Sequence, residues 1–457
     1  MESELVELSA SARAQPPAAQ PQPCMSSAEL LERQAARESN ARSYPRGLPV
    51  AIAHARGCEI TSVDGKRYLD FFAGAGVLAV GHSHPRVVEA VKQQLELVVH
   101  TLDLPTPTRD RFVTEVLGLL PARMRPHMRV HICGPSGSDA VEAALKLCKR
   151  ATGRSSVVAF QGSYHGMTAG ALAVTSVREL KERLPGLMPG VHFAPFAYCT
   201  RCPLKLTPAH CGTACAALLE TTLESTHSGV VSPAAVLMEP VQGEGGSIVP
   251  NADFVRRVAA AARHAHAPLI ADEIQCGLGR TGRFFAFEHF DIEPDVITLS
   301  KALGGIGLPI AAIVYRKELD VWEPGLHIGT FRGHQLAMAA GIAAIEVMRE
   351  EGLLDNATRR GEQLREGLSR ITSRAIREVR GLGLMLGVEL AHPETGAPWP
   401  EHARRVRAAA FERGLLCELG GPSDATLRLL PPLILTEPEA ELGLSVLREA
   451  FAACERH

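Results

Sequence analysis

From about residue 110 to 340 the chain alternates short apolar runs with longer segments of helical period. RVHIC, SSVVAF, AAVLMEP, APLIADEI and DVITLS are brief apolar runs between breakers, the pattern of strands buried on both faces. DAVEAALKLCKRA and DFVRRVAAAARHAHA repeat their apolar positions every three to four residues, as amphipathic helices do. This alternation predicts βα units and a mainly parallel sheet. Upstream, AIAHARGCEITSVDGKRYLDFF alternates about the pair Asp64–Gly65, a hairpin signal, and PRVVEAVKQQLELV reads as a helix opened by Pro85. Downstream, helices near 335–349 and 355–373, the strand LMLGVEL and a last helix from about 436 suggest a smaller α+β unit. The expected division is a disordered tail over 1–27, a segment over 28–90 joining the small domain, a large domain over 91–340 and the small domain over 341–457.

Composition narrows the class. Of 457 residues, 46% are hydrophobic and 21% charged, as in globular proteins, and this length suggests more than one domain. A net charge of −2 gives no reason to expect nucleic acid or an anionic membrane as partner. No apolar stretch approaches the roughly 18–20 residues that span a bilayer. The first residues have no basic start before an apolar block, so no secretory signal is read there. Eleven cysteines, an odd number and mostly isolated in apolar segments, favour a reducing, cytoplasmic compartment. Four of them, Cys199, Cys202, Cys211 and Cys215, stand as C-x2-C-x8-C-x3-C. That spacing suits a metal ion or simply a loop with free thiols.

Ligands of parallel sheets bind beyond the carboxyl ends of the strands, and three strand ends carry chemistry. RVHIC runs into GPSGSDAVEAALK, where Gly134, Ser136, Gly137 and Ser138 precede a helix beginning at about Asp139. Small residues at a helix N-terminus suit a phosphate, although the same residues make an ordinary cap. PLIADEIQCGLGRTG places Asp272 and Glu273 after a buried strand, where a carboxylate grips a metal, a ribose or a protonated ring nitrogen, or caps the turn. Gly277–Gly282 match G-x-G-x-x-G, but RFFAFEHF follows as an aromatic loop or strand, not a helix, and a dinucleotide is excluded. PDVITLSKALGGIG delivers Lys301 into a glycine-rich turn. An amine beside a core strand is costly unless paired or used, the plain alternative being a lysine that surfaces there. A phosphate loop, an acidic strand end and a lysine strand end together fit pyridoxal 5′-phosphate (PLP). The lysine bonds the aldehyde, the carboxylate keeps the pyridine nitrogen protonated, and the glycine loop holds the phosphate.

At this point the sequence resembles the class III PLP-dependent aminotransferases of fold type I, from about residue 45 to 450. LIADEIQCGLGRTGRFFAFEHFDIEPDVITLSKALGGIGLPI is similar to the family signature. The resemblance implies that Lys301 is the cofactor-bonding lysine, Asp272 the pyridine-nitrogen partner and Gln275 the contact to the cofactor's phenolic oxygen. It further implies that Ser136, Gly137 and Ser138 form the phosphate loop, and that Tyr164, with His165 beside it in GSYHGMTAGALAVT, stacks on the ring. Thr330 in GTFRG resembles the threonine that reaches the partner subunit's phosphate, which implies a homodimer, with a tetramer left open. EPVQGEGG supplies Glu239 and Glu244, and VRGLGLMLGVEL supplies Arg380 as carboxylate-binding arginine, with Glu244 as its expected partner. YLDFFAGAGVLAVGHSHP and DVWEPGLHIGTFRGHQLAMAAG are similar to the branch that exchanges the terminal amine of 2,4-diaminobutyrate with 2-oxoglutarate. Ornithine and γ-aminobutyrate enzymes carry an arginine where this chain has Met167, which argues against those substrates. Another ω-aminotransferase, a racemase of the same fold and a non-catalytic PLP-binding protein are the alternatives.

Overall fold

The computed structural model describes residues 25–455, which form two compact units. The smaller unit runs to Ala53 and includes Thr61–Lys66. Its helix Ser27–Arg37 opens on a reciprocal cap: Ser26 Oγ accepts from the Glu29 amide, and Glu29 accepts from the Ser26 amide. Of the expected disordered tail, residues 1–24 lie outside the described residues, whereas Ser26 and Ser27 begin this helix. The turn at Asp64–Gly65 is present, with Gly65 at φ 79° and the Ser62 amide donating to the Lys66 carbonyl.

The larger unit, His54–Ile60 and Arg67 onward, is built on a seven-stranded sheet. Its strands are β1 (Met128–Ile132), β2 (Val157–Phe160), β3 (Val191–Ala194), β4 (Ala235–Met238), β5 (Leu269–Asp272), β6 (Val296–Leu299) and β7 (Ala312–Arg316), in the spatial order β1-β7-β6-β5-β4-β2-β3. The steps from β3 through β6 are parallel. Every residue of β2, β4, β5 and β6 is buried, which is why these strands read as continuous apolar runs rather than alternating ones. β7 was not among the expected strands, and it runs antiparallel to both neighbours. The twelve residues that separate it from β6 hold a 3₁₀ turn, Lys301–Gly304, and no helix to carry the chain across for a parallel return. GLGRTG lies in turns and leads into a short 3₁₀ helix, Ala286–Phe290, with no long helix after it. Glu273 is held there as a brace, accepting the amides of Ala286 and Phe287 at 2.8 Å each.

A second, antiparallel sheet comprises β8 (Ile376–Leu382), β9 (Met385–Leu390), β10 (Glu418–Gly420) and β11 (Thr426–Leu429), in the order β8-β9-β11-β10. The four-cysteine stretch forms a loop with a 3₁₀ turn, Cys199–Arg201, between β3 and the helix Ala214–Glu224. Among the described residues no three or more His, Cys, Asp or Glu side chains are grouped to hold a metal ion, and the thiols are free.

Candidate active site

The carboxyl ends of β5 and β6 meet the N-terminus of α1 (Gly137–Thr152) around a cavity of about 160 Å³. Lys301, Asp272, Gly137, Ser138, Tyr164, His165, Glu239, Glu244 and Gln275 line it, so most of the predicted residues converge although they come from segments up to 164 positions apart (137 to 301). Pairing of Asp272 with Thr298 across β5 and β6 sets the register that places both functional strand ends together.

Lys301 sits two residues beyond β6 with φ 49°, a left-handed conformation that costs a residue with a side chain about 1–2 kcal/mol. Such strain gathers at functional sites. Burial pushes its amine below the ordinary lysine range, and Arg428 lowers it further, while Glu244, Asp272 and Glu239 oppose the shift. Asp272 is 3% exposed. Its Oδ1 accepts from Thr298 Oγ1 at 2.9 Å and from the Ile274 amide at 3.1 Å, and its Oδ2 lies 2.7 Å from His165 Nδ1. With the carboxylate ionised, Nδ1 carries the proton of that bond. His165 is itself fixed by its amide, which donates to Thr175 Oγ1 at 2.9 Å.

Close packing of glycines shapes the phosphate side. A Cβ on Gly166 would fall 2.1 Å from Ser138 Oγ, and one on Gly137 would fall 3.0 Å from Ile274 Cδ1. Ser136 caps α1 by accepting from the Asp139 amide at 3.4 Å, and it does not line the cavity. Of the expected loop Ser136–Ser138, the residues that line the cavity begin at Gly137. The cradle of a helix N-terminus, an amine and a buried carboxylate fits PLP: a phosphate at Gly137 and Ser138, an aldehyde at Lys301, and a ring nitrogen at Asp272.

Glu239 lines the cavity but is engaged by backbone, accepting the amides of Tyr164 at 3.1 Å and Gly243 at 3.0 Å. Burial pushes its carboxyl up to about 7 against those two hydrogen bonds. It ties two cavity loops together while lining the cavity where the substrate contact was expected. Thr330 does not line the Lys301 cavity of its own chain; its carbonyl accepts from His100 Nε2 at 2.8 Å.

Arg380 departs most from expectation. Its Nε donates to the Gly246 carbonyl at 2.9 Å, and its Nη1 donates to Glu378 at 2.6 Å and to Glu389. Glu244 pairs instead with Arg428, Oε2 to Nη1 at 2.7 Å, and Arg428 Nη2 donates to Gln275 Oε1 at 2.7 Å. Gln275 completes its amide by donating to the Ala75 carbonyl at 3.1 Å. Burial alone would raise the Glu244 carboxyl, but Arg428 and Lys301 together hold it below the usual carboxylate range. The Glu244–Arg380 pairing is thus corrected to Glu244–Arg428, because β8 and β11 approach different parts of the QGEGG loop. Arg428 was missed, although an arginine inside the apolar run TLRLLPPL is the same signal that singled out Lys301.

Comparison with known proteins agrees with this geometry. The aminotransferase class-III family model matches residues 40–451. The diaminobutyrate–2-oxoglutarate aminotransferase of Rhizobium meliloti (strain 1021) is 48% identical over 433 residues, 92% of each chain. That of Haemophilus influenzae (strain ATCC 51907 / DSM 11121 / KW20 / Rd) is 44% identical, covering 91% of this chain and 93% of its own. Among solved structures, a PLP-bound amine transaminase from an uncultivated Pseudomonas species superposes with a TM-score of 0.83 at 29% identity, covering 92% of this chain and 98% of its own. With a lysine, a carboxylate and a helix N-terminus around one cavity, and a family match over most of its length, the chain belongs to the class-III, PLP-dependent aminotransferases.

Proposed function

We propose that this aminotransferase moves the terminal amino group of 2,4-diaminobutyrate to 2-oxoglutarate, and in reverse aminates aspartate 4-semialdehyde at the expense of glutamate. The Glu244–Arg428 pair beside Lys301 carries this reading, together with the activities named for the relatives in Rhizobium and Haemophilus. Bound PLP supplies an aldehyde for the amine and a protonated ring that accepts electron density from the substrate carbon. Gly137, Ser138 and the N-terminus of α1 would hold its phosphate, Asp272 would keep its ring nitrogen protonated, and Tyr164 would cover its face. Lys301, its amine depressed by burial, takes a proton from the substrate carbon and returns one during the exchange. While Glu244 neutralises Arg428, a cationic amine enters without meeting an unpaired guanidinium. When glutamate or 2-oxoglutarate binds, Arg428 takes a carboxylate, a contact that its planar fork favours.

The reading includes a homodimer. Leu97, Ile328 and Phe331 expose 76%, 72% and 63% of their surface, apolar side chains that a second subunit would cover, and Thr330 precedes Phe331 in the chain. It also includes the cytoplasm, which suits free thiols; among the described residues no helix is long and apolar enough to cross a membrane.

The test follows the nitrogen. Holoenzyme given 2-oxoglutarate and 2,4-diaminobutyrate labelled with ¹⁵N on the distal amine should yield ¹⁵N-glutamate. Unlabelled glutamate, which would have drawn on the α-amine, or no transfer at all, would overturn the reading. Lys301→Ala should retain PLP yet lose turnover by about 10²–10⁴-fold, the scale of a positioned acid–base group. Borohydride should fix the cofactor on the Lys301 peptide of the wild type alone.

A further inference from the structure

Arg428 is 1% exposed and does not itself line the Lys301 cavity. The two side chains that bond it, Glu244 and Gln275, both do. A carboxylate that enters the cavity therefore meets these two before it meets the guanidinium, and one of them has to give way.

The two are held very differently. Gln275 has one Nε2 hydrogen on the Ala75 carbonyl at 3.1 Å, and its Oε1 accepts from Arg428 Nη2 at 2.7 Å. Its amide packs on Gly243, where an added Cβ would fall 1.9 Å from Oε1. The Ala75 carbonyl is presented by a left-handed run from Ala73 to Gly76, with φ of 48°, 61°, 61° and 87°. Two of those residues are alanines, for which this region is unfavourable, so the turn is a built feature of the site. Glu244, in contrast, keeps 35% of its side chain exposed. Gly243, Gly245 and Gly246 surround it in sequence, and its own carbonyl is tied to the Gly421 amide at 2.8 Å. Its backbone is anchored and its side chain is the part free to turn. The stem of Arg428 is fixed as well, since a Cβ on Gly420 would fall 2.5 Å from its Cδ. An amide nitrogen carries two hydrogens, and the Ala75 carbonyl uses one of those on Gln275. The other is left for a carboxylate. Burial would raise the Glu244 carboxyl, while Arg428, Lys301 and a hydrogen bond from Gln275 hold it down.

We propose that Arg428 Nη1 and Gln275 Nε2 form one carboxylate cradle, filled by Glu244 at rest and by the α-carboxylate of glutamate or 2-oxoglutarate once Glu244 has turned away. Gln275 is then a specificity-determining residue. It stays in place, keeps the guanidinium oriented through Oε1 and gives the incoming carboxylate its second donor. The exchange swaps one carboxylate for another, so the charge beside Lys301 does not change. The α-carboxylate of glutamate is attached to the carbon that bears the reacting nitrogen, so a single small cavity lined by Lys301, Glu244 and Gln275 serves both groups. The distal carbon of diaminobutyrate bears no carboxylate, and Glu244 keeps its place. The inference rests on the reading above in which Arg428 takes the substrate carboxylate, and it adds the residue that holds Arg428 ready.

Half-reactions of the holoenzyme with glutamate and with 2,4-diaminobutyrate test the cradle. Gln275→Met should lower the efficiency ratio of glutamate over diaminobutyrate by about tenfold or more, mainly through the half-saturating concentration, on the scale of a hydrogen bond to a charged group. Gln275→Glu should lower it further, because a second carboxylate then occupies Arg428 after Glu244 has left. Gly243→Ala keeps every polar group and pushes Gln275 Oε1 aside. It should lower the ratio as well, and it keeps the test open if the Gln275 variants fold poorly. Calorimetry with glutarate, a dicarboxylate that has no amine to transfer, should show the same weakening at equilibrium in Gln275→Met holoenzyme. A contact to the cofactor alone would slow both donors alike and leave glutarate unaffected. Equal losses for the two donors, or an unchanged ratio, while Arg428→Ala still impairs glutamate, would overturn the cradle and leave the Arg428 reading standing. Glutamate use that survives Arg428→Ala would overturn both.

Discussion

Arg380 and Arg428 stand on either side of Gly387: in the second sheet β8 pairs Arg380 with it and β11 pairs Arg428 with it. Both are buried, at 8% and 1% exposure, and both are paired with glutamates. They differ in what those glutamates belong to. Arg380 is closed into a cluster of Glu378, Glu389 and the Gly246 carbonyl, with the Tyr198 ring 5.0 Å from its guanidinium. Arg428 reaches Glu244 and Gln275, both of which line the Lys301 cavity, and its Nε has no partner among the described residues. Burial and charge therefore do not separate the two arginines. The distinguishing feature is that the counter-ion of Arg428, Glu244, itself lines the Lys301 cavity, where the proposed exchange for a substrate carboxylate would take place.

The sharpest way to break this contrast is to remove each arginine in turn. Arg428→Ala should lower kcat/KM for glutamate about a thousandfold, because a buried charge partner is lost and Glu244 is left uncompensated. The same substitution at Arg380 should appear mainly in stability, by about 3–5 kcal/mol, since Glu389 would keep a buried charge with fewer partners. The folded Arg380→Ala enzyme should stay within about tenfold of wild type on glutamate. Denaturant melts and glutamate half-reaction rates of both proteins decide it, and an exchange of the two outcomes would return the carboxylate to Arg380.

The same contrast marks how far the sequence could be read. β2, β4, β5 and β6 were legible because strands buried on both faces are built mainly from apolar residues, so each one reads as an apolar run. Lys301 and Asp272 were legible for the related reason that a charge next to such a run requires an explanation. The two arginines were not separable by that logic. Arg428 interrupts the apolar strand TLRL whereas Arg380 lies in the mixed strand IREVRGL, and which one meets Glu244 depends on the order β8-β9-β11 and on where the QGEGG loop falls, a long-range register with no local signature. β7 escaped for a different reason: its direction follows from the connection before it, which holds no crossover helix, rather than from its own residues. The role of Glu239 was hidden because its partners are backbone amides, which sequence does not display.

A smaller effect sharpens the role of the counter-ion. Glu244→Gln removes the charge that neutralises Arg428 but keeps a side chain of nearly the same shape. Diaminobutyrate should then lose about tenfold in kcat/KM, on the scale of a partly solvent-exposed charge pair. Glutamate should be unaffected or improved, because Arg428 no longer has to be released before it takes a carboxylate. Separate single-turnover measurements with the two donors provide the comparison. A parallel loss for both would make Glu244 a brace for its loop and nothing more.

The subtlest prediction concerns the proton on Lys301. Burial holds its amine below the ordinary lysine range, the Glu244 charge opposes that shift, and Arg428 reinforces it. Glu244→Gln deletes the opposing charge and leaves Arg428 uncompensated, and both changes favour the neutral amine. The midpoint for acylation of Lys301 in the cofactor-free protein, followed by mass spectrometry of its peptide across a pH series, should therefore move to lower pH. Arg428→Gln should move it the other way, because the neighbouring carboxylate then acts without its cation. Arg380→Ala should leave it in place, since the charges that move Lys301 most are those of Glu244, Arg428, Asp272 and Glu239. A midpoint that follows Arg380 as strongly as Arg428 would mean that the two arginines act on one electrostatic site, and the division of labour drawn from their partners would fail.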